Sequence, residues 1–366
     1  MQPSVLSPIL SLDDEQIANI LTDTLDQLLQ NQDLSSQQMQ QVMLIMMSGR
    51  CPDVLMAAIL IALRQKGESI DEISSCAKTM LELANTVDIQ DANAVDIVGT
   101  GGDGANLFNV STAAAFVAAA AGVTIAKHGN RGVSTSSGAS DVLSCAGVKL
   151  DIDLDATRQS INTLGVGFLF APNHHPAMRH AIGVRRQLKA RTIFNVLGPL
   201  TNPAKVKRTV IGVFDQKLCQ PLAAVLLELG IKHALVVHSA DGLDEFSLAT
   251  HSHVAELKDG QIRTYDITPD ELGVPTADLS GLTVQSSSQS LAIITKALSG
   301  NDDDPITQKA QNLIAINAGA AIYVAGKADS HQAGVMIAKD IIKSGKALQK
   351  LNDFAQFTQN QASITS

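Results

Sequence analysis

The chain has 366 residues, 45% of them hydrophobic, with a formal net charge of −9 and no Trp. That length and apolar content are ample for two cores rather than one. The acidic total argues against a surface made for non-specific nucleic-acid binding. Cys51, Cys76, Cys145 and Cys219 are widely spaced, with no C-x-x-C and no His at ligand spacing. They read as buried or incidental thiols in a reducing compartment.

At the N-terminus, MQPSVLSPILSLDDEQ lacks a basic run and soon turns acidic, so no signal peptide is expected. Residues 12–85 then read as all-helical. DEQIANILTDTLDQLLQ carries an apolar stripe at helical spacing, and Ser35 with Gln38 and Ser69 with Glu72 have capping-box spacing. Gly49 and Gly67 stand where helices commonly stop. Met43, Met46 and Met47 read as core filler rather than ligands.

Character changes at Val95. VDIVG is a short apolar run ending in a glycine loop, and NVSTAAAFVAAAAG reads as a helix. VTIAKHG is a second strand and loop, and SSGASDVLSCAG is helix-like again. Strand, loop, helix repeated twice points to a parallel sheet with crossovers. The apolar window VSTAAAFVAAAAGVTIA is built of small residues and fits a core helix better than a membrane span. HHPAMRHAIGVRRQLK reverts to helical spacing, and LGPLTNPA is a turn marking a domain crossing. RTVIGVF and HALVVHS are further strands, VAELKDGQIRTYDI is a hairpin about Asp259-Gly260, and Ile314 to Leu351 reads as two more helices. The expectation is an α/β protein: a small all-helical domain plus a larger α/β domain with a central, mostly parallel sheet. The helical domain spans 1–90 plus about 174–196, and the α/β domain 91–173 and 197–366. A ligand is expected in a cleft between the two. The reading is of a cytoplasmic protein with neither membrane nor nucleic acid as partner.

DIVGTGGDG contains G-x-G-x-x-G at Gly99, Gly101 and Gly104. A dinucleotide fold would place an acid about 20 residues on to bind a ribose hydroxyl. This chain instead presents Lys127, His128 and Arg131 there, residues that attract phosphate. The Walker pattern and the G-x-S-x-G elbow are both absent, which removes P-loop NTPases and weakens a serine hydrolase. In parallel sheets, ligands sit in the loops leaving the carboxyl ends of strands. Here one such loop brings Gly99, Gly101 and Gly102 to the start of a helix at Asn109, Val110, Ser111 and Thr112, whose N–H groups suit an anion. The next, KHGNRGVSTSSG, offers Lys127, Arg131 and several hydroxyls. From Ala156 to Phe214 the chain has no Asp or Glu but nine Lys and Arg residues, Arg185 among them. That run suggests a local funnel for a small anion. Asp244-Glu245, just after HALVVHS, are the candidates for holding Mg²⁺, which favours one or two carboxylates plus phosphate oxygens.

GTGGD, N-x-S-T, KHGNR, the VRR of HAIGVRRQL, FN-x-LGPL-x-NP and GLDE-x-S occur in this order. Together, over nearly the whole chain, they resemble the anthranilate phosphoribosyltransferase family. The resemblance implies a nucleoside-phosphorylase-like architecture, a homodimer through the helical domain, and Mg²⁺-dependent transfer of phosphoribose from phosphoribosyl pyrophosphate to anthranilate. It assigns Gly99, Gly102 and Asp103, then Asn109, Val110, Ser111 and Thr112, to phosphoribosyl pyrophosphate. Lys127, His128, Gly129, Asn130, Arg131, Gly132, Val133, Ser134 and Thr135 form the second loop on that substrate. Gly99, Asn130 and Arg185 are implied anthranilate contacts, with His128, Pro172 and His175 along the anthranilate channel. Ser111, Asp244 and Glu245 are the implied metal ligands. Many members read S-x-K-S-G-S after KHGNR, whereas this chain runs from Ser134 to Ala139 without that Lys and final Ser. Leu107 also stands where many members carry Thr or Ser. Both departures bear on affinity for phosphoribosyl pyrophosphate more than on the reaction. A pyrimidine nucleoside phosphorylase and a non-catalytic nucleic-acid-binding relative are the rival readings. KHGNR disfavours the first, and the net charge with the Asp244-Glu245 pair disfavours the second.

Overall fold

The computed structural model describes residues 3–132, 137–301 and 303–362. The chain forms two compact units, Met1–Thr86 with Pro172–Pro203, and Val87–Ala171 with Ala204–Ser366.

The first unit is helical: α1 (Pro3–Leu10), α2 (Asp14–Leu29), α3 (Ser36–Ser48), α4 (Asp53–Lys66) and α5 (Ile70–Leu83). α1 precedes the point where the apolar stripe becomes readable. Capping boxes start α2 at Asp13, α3 at Ser35 and α5 at Ser69, so each helix start is written locally. Met39, Met43, Met46 and Met47 are all fully buried. Glu72 is fully buried there and takes the Lys66 ammonium at 2.9 Å and the Leu34 N–H at 2.9 Å.

The second unit begins with β1 (Val95–Gly99), α6 (Val110–Ala120), β2 (Ile125–Gly129), α7 (Ala139–Cys145), α8 (Leu154–Leu164) and β3 (Val166–Phe170). The chain then returns to the helical unit through α9 (Ala171–His174), α10 (Arg179–Leu188) and α11 (Ile193–Leu197). This second pass outlasts the LGPL turn. Thr201 Oγ1 donates to Leu197 O at 3.0 Å, and the Thr201 carbonyl lies 3.0 Å from His175 Nε2, so the segment stays packed in the helical unit up to Pro203.

Back in the α/β unit come β4 (Arg208–Gly212), α12 (Cys219–Glu228), β5 (His233–Ser239), β6 (Ser252–Lys258) and β7 (Gln261–Ile267). Four helices close the chain: α13 (Ser287–Leu298), α14 (Pro305–Val324), α15 (His331–Lys343) and α16 (Lys346–Ala362). Periodicity alone reads the tail as two helices, because only Ser344 and Gly345, the latter at φ 71°, separate α15 from α16.

The sheet runs β3-β2-β1-β4-β5-β6-β7, with the first five strands parallel and the last two antiparallel. Asp259 and Gly260 both have positive φ, at 51° and 77°, as a type I′ hairpin between β6 and β7 requires. The Ala-rich face of α6 lets α14 and α16 approach closely, and Phe116 meets Phe354 of α16 with ring centroids 6.1 Å apart.

His331 is buried at the start of α15, with Nε2 2.8 Å from Ile316 O and its ring against Phe246. Burial pushes its pKa down to about 4. The unfolded chain therefore binds a proton near pH 6.5 that the folded chain refuses. Stability is complete above about pH 6.5 and is lost as pH falls towards 4. We expect the urea midpoint to drop between pH 7 and pH 5, with about 2 kcal/mol of that loss due to His331. His331→Gln should flatten the slope, and an unchanged slope would refute the assignment.

Candidate active site

Sheet order alone selects a position. β2 and β3 lie on one side of β1, while β4 and β5 lie on the other. The strand order reverses between β1 and β4, and ligands of parallel sheets bind at the carboxyl ends of such a pair. Both strands end in glycine, and Gly99 and Gly212 are register partners. The loops beyond them are stitched together. Thr100 N–H donates to Gly212 O at 2.9 Å, and Phe214 N–H donates to Thr100 Oγ1 at 3.1 Å.

Over these two glycines sits the acid turn that follows β5. A Cβ on Gly212 would lie 1.4 Å from Asp244 O, and one on Gly99 would lie 2.5 Å from Asp244 Oδ2. Only bare backbone fits beneath the turn. The turn is anchored from several directions. Ser239 Oγ donates to Glu245 O at 2.6 Å, Gly101 N–H to Asp244 Oδ2 at 2.6 Å, and Ser111 N–H to Glu245 Oε1 at 3.2 Å. Asn317 of α14 bonds both backbone groups of Phe246.

Three acids gather here. Burial, followed by the nearby Asp103 charge, pushes Asp244 up to about 6, against the opposing Gly101 N–H. Burial, Asp244 and Asp103 push Glu245 upward as well, with Lys127 and the Ser111 N–H opposing. Carboxylates crowded this way are short of positive charge, the condition a divalent cation relieves. Among the described residues no three His, Cys, Asp or Glu side chains are arranged to hold a metal by themselves. Two carboxylates completed by substrate oxygens is the set Mg²⁺ accepts, so the residues fit it.

The same place receives the start of α6. Asn109 caps it, accepting the Thr112 N–H at 3.0 Å and the Ser111 hydroxyl at 3.3 Å. Asn109 is itself fixed by its N–H to Ser290 Oγ at 2.8 Å and its Nδ2 to Ser137 O at 3.0 Å. Val110 and Thr112 are buried, while Ser111 stays partly open. Lys127 belongs to β2 rather than to the loop after it. Its ammonium donates to Ile97 O and, at 3.2 Å, to Ser111 Oγ. Burial pushes its pKa down, against the charges of Asp96, Glu245 and Asp244.

Of the second loop, His128 is buried with its N–H on Asp96 Oδ1 at 3.0 Å, and Gly129 ends β2. Asn130, Arg131 and Gly132 are exposed. Asn130 Oδ1 accepts the Arg131 N–H, and Asp141 takes the Gly132 N–H at 2.9 Å and the Arg131 guanidinium at 3.5 Å. Val133, Ser134 and Thr135, like Ser136, lie outside the described residues. Gly102 and Asp103 are partly open beside the acid turn, and Leu107 packs against the hydrophobic core.

Arg185, Pro172 and His175 belong to the helical unit. Arg185 of α10 holds its guanidinium over the Phe194 ring, 5.5 Å from the centroid. His175 is buried on Thr201 O, and burial pushes its pKa down to about 4, so it is neutral at pH 7. Pro172 is exposed.

Gly212, Ser239, Thr100 and Asn317 escape motif reading. A glycine ending a strand and an Asn inside an apolar helix were the available signals.

A sheet with a glycine-rich switch point beside an acid turn and a capped helix start is a place suited to a phosphorylated ligand and a divalent cation. Residues 91–348 match the glycosyl transferase family, a/b domain, and residues 22–84 match the glycosyl transferase family, helical bundle domain. The chain belongs to the anthranilate phosphoribosyltransferase family. It is 56% identical over 364 residues to the anthranilate phosphoribosyltransferase of Psychrobacter sp. (strain PRwf-1), covering 98% of this chain and 99% of that one. The crystal structure of anthranilate phosphoribosyltransferase from Thermus thermophilus superposes with a TM-score of 0.86 at 39% identity, over 92% of this chain and 99% of that one. The Saccharomyces cerevisiae enzyme in complex with phosphoribosyl pyrophosphate and Mg superposes with a TM-score of 0.83 at 28% identity, over 93% and 98% of the two chains.

Proposed function

We propose that the chain transfers the phosphoribosyl group of phosphoribosyl pyrophosphate to the amine of anthranilate and releases pyrophosphate, a step of tryptophan biosynthesis. The observation that carries this reading is the meeting of three features over Gly99 and Gly212: the glycine loop, the start of α6 and the acid turn. The bond from the anomeric carbon to the pyrophosphate oxygen breaks, the amine nitrogen forms the new bond there, and the amine gives its proton to water. An aromatic amine is neutral at pH 7, so no strong base is needed.

The chain's own residues position and neutralise. Gly99, Gly101 and Gly102 leave the backbone bare for close approach, and the first turn of α6 presents the positive end of a helix dipole to phosphate oxygens. The Asn109, Ser111 and Thr112 side chains line that turn, and Asp103 stands at its edge. Lys127 fixes the Ser111 hydroxyl from behind and offsets the acid pair. Gly129 through Thr135 supply the second loop, and Asn130 with Gly99 borders anthranilate. Asp244 and Glu245, with Ser111, would hold Mg²⁺. Bound with the substrate, Mg²⁺ supplies charge neutralisation on the departing pyrophosphate. His128, Pro172 and His175 would line the path of anthranilate.

Arg185, held over the Phe194 ring, takes the anthranilate carboxylate. Arg185→Ala is expected to raise KM for anthranilate roughly 10- to 100-fold, the worth of a charged hydrogen bond, with KM for phosphoribosyl pyrophosphate little changed. Steady-state kinetics with each substrate varied would check it, and an unaltered anthranilate KM would remove Arg185 from this role. The reaction itself is tested by anthranilate fluorescence. It should decay only when protein, phosphoribosyl pyrophosphate and Mg²⁺ are all present, and a steady signal would overturn the proposal. Thymidine phosphorolysis in its place would favour the nucleoside phosphorylase reading.

A homodimer through the helical unit is part of this reading, supported by Leu29 and Val54, exposed at 67% and 79% in that unit. Light scattering at the mass of a single chain would remove it. No helix among the described residues is long and apolar enough to cross a membrane.

A further inference from the structure

We infer that Asn317 is a positioning residue that sets how tightly the acid turn binds a divalent cation. This rests on the reading of Asp244 and Glu245 as the ligands of that cation. Asn317 lies in α14, with Leu313, Ile314, Ala318 and Ala321 fully buried around it, and is itself 4% exposed. An amide in such a helix costs stability unless its hydrogen bonds are met. Here its Nδ2 donates to Leu313 O, one turn back on its own helix, at 3.0 Å. That bond fixes the amide plane. The same plane then pairs with the residue next to Glu245, with Phe246 N–H on Oδ1 at 3.1 Å and Phe246 O accepting from Nδ2 at 3.0 Å. Both donors and one acceptor site of the amide are in use.

This amide holds the acid turn from its far side. On the near side the turn rests on Gly212, where no side chain fits, and its two carboxylates and Asp103 repel one another. Ser239 holds the carbonyl of Glu245, but Asn317 alone among these anchors grips both backbone groups of one residue. The Phe246 ring, 4.6 Å from the His331 ring, keeps that residue seated against α15. An apolar residue would satisfy α14 packing equally well. The amide's specific contribution is the location of the turn, and turn location sets carboxylate geometry at the cation.

The test uses the full chain with Asn317→Leu, which keeps the volume and removes the bonds, and Asn317→Ser as a milder change should the first fail to fold. Mn²⁺ binding in the presence of phosphoribosyl pyrophosphate is read from the electron paramagnetic resonance of free Mn²⁺. We expect the folded variants to bind Mn²⁺ about fivefold or more weakly, KM for anthranilate to stay within about twofold, and raised metal to restore most of kcat. A lower unfolding temperature with Mn²⁺ affinity unchanged would mean Asn317 serves packing alone and would overturn the inference. Glu245→Gln is measured alongside. If it too binds Mn²⁺ as the parent does, the acid-pair reading fails. If it loses Mn²⁺ while the Asn317 variants do not, only the role of Asn317 fails.

Discussion

Gly212→Ala is expected to cost at least about a hundredfold in kcat/KM, the scale associated with misplacing catalytic groups by 1 Å. The added Cβ would lie 1.4 Å from Asp244 O and 2.4 Å from Asp244 C, backbone atoms that no rotamer change can move aside. The acid turn has to lift away from the end of β4, and its anchors to Gly101, Ser111 and Asn317 have to stretch or break. The loss should fall on the pyrophosphate and metal side of the reaction, visible as a raised Mg²⁺ requirement. Overpacking should also cost about 1–3 kcal/mol of stability. Gly183→Ala provides the contrast. Gly183 lies within α10 with nothing inside 4 Å of its added Cβ, so alanine there should stabilise by about 0.5–1 kcal/mol. Kinetics and thermal unfolding of the two variants check both halves, and near-parental kinetics in Gly212→Ala would refute the seating of the turn.

Asp244→Asn and Glu245→Gln should separate activity from stability. Each removes a charge positioned for the cation, and a loss of roughly 10²–10³ in kcat is the usual scale for one preorganised electrostatic group. Stability should move the other way. Asp244 is raised to about 6 by burial and by Asp103, so above that pH its charge opposes folding. An amide keeps the acceptor for the Gly101 N–H and removes the repulsion. At pH 8 the ligand-free Asp244→Asn variant should therefore unfold a few degrees above the parent, and the gap should narrow as pH falls below about 6. Calorimetry of both proteins without ligand tests this. A variant that loses activity and melts lower would mean that Asp244 serves the fold rather than the reaction. This is the expected signature of an active site that stores unfavourable charge for its ligand.

How much of this was written locally varies along the chain. The helix starts at Ser35 and Ser69 and the Asp259-Gly260 hairpin were legible, because a few neighbouring residues decide them. The glycine loop leading into a helix start at Asn109 was legible, because an Asn after a glycine run and before an Ala-rich stretch marks a helix cap. β3 was not legible. VGFLF is five residues of apolar run continuing straight into α9, and a buried run of that length carries no period. Lys127 read as a loop phosphate donor, but it is two residues from the end of β2, where strand alternation turns it inward to Ile97 O. Gly212 could be seen as a glycine in RTVIGVF, yet its importance depends on register with Gly99 and on a turn more than thirty residues away. Asn317 is similar, since its partners are 71 residues back in the chain. Long-range contacts decide these residues, and no local spacing encodes them.

The most direct measurement is a crystal structure of the chain with phosphoribosyl pyrophosphate and Mn²⁺, the metal located by its anomalous scattering. The metal peak is expected against the Asp244 and Glu245 carboxylates, with the pyrophosphate over the Gly99–Gly102 backbone and the first turn of α6. A peak elsewhere on the chain, or the sugar bound away from the Gly99 and Gly212 strand ends, would contradict it.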